Sequence, residues 1–102
     1  MSKEERIEKR KNQVREEANM FMLNEEVLYF YNAEGGIHIY ASNAYDIIAK
    51  LNPINEGMYI YNSDEIDGVM TKKENGDFEL EYMDKTTNKT RIINYELMLS
   101  VE

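Results

Sequence analysis

A change of period divides the chain. Over residues 2–19 no Gly or Pro interrupts a helix, and charged side chains recur at helical spacing, as in Glu5–Lys9. From Asn24 onward apolar residues alternate instead, with Gly, Asn and Asp punctuating the alternation at short intervals. One helical opening followed by alternation, in 102 residues, confines the chain to a single small domain built on a sheet.

Ser2 is placed as an N-cap, and Glu5 three residues later completes a capping box. The apolar positions that follow are Ile7, Val14, Ala18 and then Phe21 or Met22, and Ile7, Val14 and Phe21 share a heptad position. So narrow a stripe buries little alone. Residues 1–22 are therefore expected to form a charged helix, either docked on the sheet by its C-terminal half or projecting as an arm that pairs with another chain, and residues 23–102 a small acidic α+β domain.

Within that domain Val27, Tyr29 and Tyr31 alternate with Leu28 and Phe30 as a strand. Ala33-Glu34-Gly35-Gly36 turns the chain, and Ile37–Tyr40 returns as its hairpin partner. Ser42 or Asn43 then caps a short helix over 43–51, because Ala44, Ile47, Ile48 and Leu51 fall at i, i+3, i+4 and i+7. Asn52-Pro53 ends that helix. Met58–Tyr61 is a third strand, and Asn62–Gly68 a polar loop. Val69–Lys73 and Phe78–Met83 flank Glu74-Asn75-Gly76-Asp77, a strong hairpin signal. After a turn at Asp84–Lys89, Thr90–Tyr95 forms the last strand, extending through Leu97 to Val101. The expected fold is α+β: an N-terminal helix, a short middle helix and a mostly antiparallel sheet of five to six strands.

Several chemistries are excluded by residue type. No Cys is present, so disulfides, thiolate metal sites and thiol catalysis are out. The single His38 alternates with Ile37 and Ile39 and is expected to face solvent, with no nucleophile motif beside it. Gly35-Gly36 lacks the Lys-Ser/Thr that a phosphate loop needs. Ser63–Glu74 imitates a calcium loop only in part, since Ser63 and Glu65 stand where Asp or Asn is required. Asn88-Lys89-Thr90 is a chance glycosylation sequon. The expectation is a protein without catalytic residues, metal or cofactor. No apolar run reaches membrane-spanning length and none follows the charged start as in a secretion signal, which predicts a cytoplasmic protein. Abundant Asn, Ile, Lys, Glu and Tyr, with AT-rich codons, point to a low-GC bacterium or its phage.

Charge supplies the functional expectation. The first fifteen residues hold six basic and three acidic groups, a net of +3. The remaining residues hold six basic and seventeen acidic groups, a net of −11. An acidic body repels phosphate and attracts basic proteins, many of which handle nucleic acids. The candidate partner-binding residues are Asp64, Glu65, Asp67, Glu74, Asp77, Glu79, Glu81 and Asp84, an acidic row that would imitate a phosphate backbone, with Tyr59 and Tyr61 as anchors beside it. Size, acidity, tyrosine content and the lack of a catalytic constellation suggest a small inhibitor of a basic nucleic-acid-binding protein or nuclease. That class includes phage-encoded anti-CRISPR or anti-restriction factors and antitoxin or immunity proteins. The alternative is a self-associating structural or adaptor protein that dimerises through residues 2–22.

Overall fold

The computed structural model describes residues 2–100. Helix α1 (Lys3–Glu17) leads into eight strands: β1 (Asn19–Leu23), β2 (Glu26–Ala33), β3 (Gly36–Tyr40), β4 (Ile47–Asn55), β5 (Met58–Asn62), β6 (Asp67–Lys72), β7 (Phe78–Asp84) and β8 (Lys89–Leu99). Each strand pairs antiparallel with the next. β1 also pairs with β8, which closes the sheet into an up-and-down barrel.

The expected α+β class is thus corrected to a mostly β fold: one helix, and a closed eight-stranded barrel in place of an open sheet of five to six strands. The expected helix over 43–51 is absent. The side chain of Asn43 does accept from the backbone N–H groups of Tyr45 and Asp46, at 2.9 and 3.0 Å, as a cap would. The chain then closes a turn, with Ala41 N–H donating to the Asp46 carbonyl at 2.9 Å and Ala44 in the left-handed region at φ 60°. Cap chemistry serves turns as readily as helices. Residues 47–55 continue as β4, with Ala49 and Leu51 inward and Lys50 and Asn52 outward. Pro53 is tolerated because the β3 pairing ends at Leu51, so its missing N–H faces no partner strand there.

The other addition is β1. α1 stops at Ala18, whose extended backbone (ψ 150°) carries the chain straight into a strand. Phe21 enters the barrel, so its heptad match to Val14 is a coincidence of spacing. Asn24 and Glu25, both left-handed, then make a two-residue hairpin turn. The helix start is as expected: Ser2 accepts from Glu5 N–H at 3.2 Å, and its hydroxyl donates to the Glu5 carboxylate at 3.1 Å. The hairpins around Gly35 and Asn75-Gly76 also form as expected. Asn62–Gly68 is shorter as a loop than expected, since β6 begins at Asp67. The last strand runs to Leu99, and its expected reach to Val101 lies outside the described residues.

Aromatic rings fill the barrel. Phe21, Phe30 and Phe78 meet at centroid distances of 4.1, 5.3 and 5.4 Å, with Tyr95 5.7 Å from Phe30 and Tyr59 5.8 Å from Phe78. Ile39, Leu51, Met70 and Leu80 complete this core. An eight-stranded barrel is just wide enough for its side chains to fill, and here they do. An apolar inside with charged Glu79 and Glu81 outside is the reverse of a membrane barrel. No helix among the described residues is long and apolar enough to cross a membrane.

A second, smaller cluster holds α1 on the barrel. Val14 and Ala18 are fully buried with Tyr40 and Ala44, and Tyr29 and Tyr31 pack around them. Arg10 donates to the Tyr40 hydroxyl at 2.8 Å and lies 4.9 Å from the centre of the Tyr31 ring. That hydrogen bond raises the Arg10 pKa further.

Inward and outward positions predict opposite responses. Leu80→Ala is expected to lower the unfolding free energy by about 2–5 kcal/mol through loss of transfer energy plus a cavity. Ile92→Ala, on the outside of β8, is expected to change it by less than about 0.5 kcal/mol. Urea denaturation of both variants checks the pair; a comparable loss in each would contradict the register.

Candidate functional site

With the interior filled, surface chemistry rests on the outer faces and the two rims. The strands deal the expected acidic row into separate places. Asp64 and Glu65 lie in the β5–β6 turn, with Asp67 opening β6 and Asp84 ending β7, all at one rim. Glu74 and Asp77 lie in the β6–β7 turn at the opposite rim. Six residue steps along β7 separate the rims by about 20 Å. Glu79 and Glu81 project outward from β7 between them.

Several of these carboxylates are already engaged. The Asp77 carboxylate accepts from Leu97 N–H at 2.8 Å, which carries the β7–β8 ladder past its last paired residue. Asp84 accepts from Thr86 N–H at 2.9 Å and pairs with Arg91 at 3.3 Å. Those backbone bonds hold both carboxyls below the usual aspartate range, Asp84 with added help from Arg91. Glu79 pairs with Lys73 at 3.7 Å. Asp64, Glu65, Asp67, Glu74 and Glu81 have no hydrogen-bond or ion-pair partner among the described residues.

Tyr59 and Tyr61 do not flank this surface. Both face into the barrel: Tyr59 packs on Phe78, and Tyr61 is 7% exposed beside Tyr95. Their expected role as exposed anchors is corrected on that ground. Burial also pushes the Tyr95 hydroxyl far above the usual tyrosine range, with Tyr61 adding to the effect.

Aliphatic side chains occupy the place expected of aromatic ones. The register aligns Asn52, Ile60, Val69, Glu81 and Ile92 in one outward row across β4 to β8. Ile60 is 39% and Ile92 62% exposed, and Met83, two residues past Glu81, is 59% exposed. Glu81 therefore stands unpaired in an apolar surround. A shallow groove lined by Met58, Val69, Thr71, Glu81, Met83 and Thr90 runs over this face. The sequence does carry a signal for it. Tyr59-Ile60-Tyr61, Val69-Met70 and Ile92-Ile93 place apolar residues at both parities, which marks strands with two apolar faces.

The remaining candidates resolve simply. Residues 63–74 are not a calcium loop, because β6 crosses them and carries Glu74 to the far rim. Ser63 closes a tight turn, its hydroxyl accepting from Ile66 N–H at 3.1 Å. No group of three or more metal-ligating side chains occurs among the described residues. His38 does point outward, but it is half-buried. Its pKa is lowered by that burial, and further by Lys50 and Arg10. Comparison with protein-family models, curated proteins and solved structures finds no match to the chain.

The two engaged aspartates set an acid limit. Their folded pKa values lie below their unfolded ones, so their contribution to stability is complete above the ordinary aspartate value and is lost as pH falls through the folded value. Unfolding midpoints in urea should therefore drop on going below about pH 4. Asp77→Ala should flatten that dependence, and an unchanged pH profile in this variant would count against the Asp77–Leu97 bond.

Proposed function

We propose that this protein works by stoichiometric binding. On this reading it is a small inhibitor that covers a basic surface of a nucleic-acid-handling protein, in the manner of anti-restriction or anti-CRISPR factors. The observation that carries the reading is the outer face of β5–β8, where Glu81 stands unpaired among Ile60, Val69, Met83 and Ile92. Aliphatic contacts would supply affinity there, while the carboxylate and the rim acids Asp64, Glu65 and Asp67 select a cationic partner. Because the acids are spread over two rims, imitation of a phosphate backbone is limited to Glu79 and Glu81, spaced by about 6.6 Å along β7. The self-associating alternative rested on the stripe Ile7, Val14 and Phe21 and on the apolar cluster Met20, Phe21, Met22 and Leu23; within the monomer Val14 and Phe21 are already buried and the other three of the cluster half-buried.

The test joins capture to mutation. A basic nucleic-acid-binding protein retained from bacterial lysate at about 0.05 M salt and released at about 0.3 M is the expected catch. Glu81→Lys should slow its association by about tenfold at low salt, and Ile92→Ala should speed its dissociation. A captured protein whose binding is indifferent to both substitutions would overturn the reading.

A further inference from the structure

One stretch of surface has the opposite sign to the molecule. Tyr31, His38, Lys50 and Asn62 form a continuous outward row across β2 to β5. Directly opposed side chains on neighbouring strands begin about 5 Å apart, so His38 and Lys50 stand side by side. Arg10 reaches over the row from α1, its guanidinium against the Tyr31 ring and bonded to Tyr40. The charges that act on His38 are Lys50 and Arg10, both positive. Glu17, the acidic group of α1 nearest this row, accepts from the Tyr31 hydroxyl at 3.2 Å. Among the described residues Lys50 has no ion-pair or hydrogen-bond partner, and neither do the amides of Asn52 and Asn62.

Arg10 and Lys50 stand together about His38, and among the described residues no carboxylate pairs with Lys50 or His38, a costly grouping in a chain of net charge −8 that has acids to spare. An anion offsets that cost. Beside Lys50 a groove of about 270 Å³ opens over β4 and β5, lined by Ile48, Asn52, Asn62 and Ser63. Its wall offers two free amides and the aliphatic side chains of Ile47 and Ile48, which suit a small uncharged body with hydrogen-bonding groups. Asp64, also on the wall, repels a second anionic group there.

We propose that this surface binds a small phosphate monoester, its phosphate held by Lys50 and His38 under Arg10 and its uncharged body lying in the groove between β4 and β5. A phosphate matches the site better than a carboxylate, because it spreads up to two negative charges over three acceptor oxygens, against two fixed cations and an imidazole whose protonation the bound anion would favour. The site lies on β3–β5 and does not use Glu81 or Ile92, so it stands or falls apart from the docking face.

The experiment is a titration of the ¹⁵N-labelled full chain with inorganic phosphate and with AMP, each matched in ionic strength by sodium chloride. AMP is expected to give saturable shifts at His38, Lys50 and Asn62 that chloride does not reproduce, and to bind about tenfold more tightly than inorganic phosphate. Lys50→Ala should weaken AMP binding by about tenfold, and Lys72→Ala, at the far rim, should leave it unchanged. Both lysines are exposed, so neither variant empties a packed position. Shifts that grow linearly and match those from chloride overturn the proposal, as does AMP binding that survives Lys50→Ala. Inorganic phosphate binding as tightly as AMP overturns the groove assignment.

Discussion

The pairing of β1 with β8 is the contact on which the rest of this structure depends. It is short, three paired positions with a shift between Met20 and Phe21, yet it abolishes both edges of the sheet at once. Closure gives every strand an inside and an outside. The inside is then committed to packing, because Phe21, Phe30 and Phe78 occupy the axis with Met70 and Leu80 around them. Recognition by this chain is thereby moved to the outer surface and the rims.

That outer surface is divided by what covers it. α1 lies over Tyr29, Tyr31 and Tyr40, and its Val14 and Ala18 are buried there. Arg10 of the helix is thus brought against β2–β4, where it joins His38 and Lys50. The face across β5–β8 has no such cover and pairs aliphatic residues with carboxylates. A chain of uneven charge has folded so that the uneven halves mark two surfaces of different chemistry. One carries the proposed anion site, the other the proposed docking face.

Much of the local structure was legible in the residues. Ser2 with Glu5 marks the helix start, and Gly35-Gly36 and Asn75-Gly76 mark two hairpins, because a cap or a positive φ is decided within four residues. The middle segment was not legible in the same way. Asn43 followed by Ala44, Ile47, Ile48 and Leu51 satisfies a helix and a turn-then-strand equally well. What separates them is the neighbour: β3 and β5 offer ladders to residues 47–55, and ladder pairing outweighs a short helix with no partner. β1 was hidden for a similar reason, since Met20 and Met22 are good helix formers and Phe21 keeps the helical stripe.

The candidate site shows the same division. The carboxylates could be counted along the chain, but their grouping depended on which turns share a rim, and that follows from an up-and-down closure no single strand reveals. Tyr59 and Tyr61 were correctly placed on one face of a strand, and only the barrel made that face the inside. By itself the sequence determined the opening helix, most of the strands and the excess of negative charge, since these rest on neighbours within a few residues. The tertiary structure alone decided that the sheet closes, that the acids part to two rims, and that Ile60, Val69 and Ile92 align around Glu81. Those outcomes depend on register between strands distant in the chain, and a shift of one residue would exchange inside for outside.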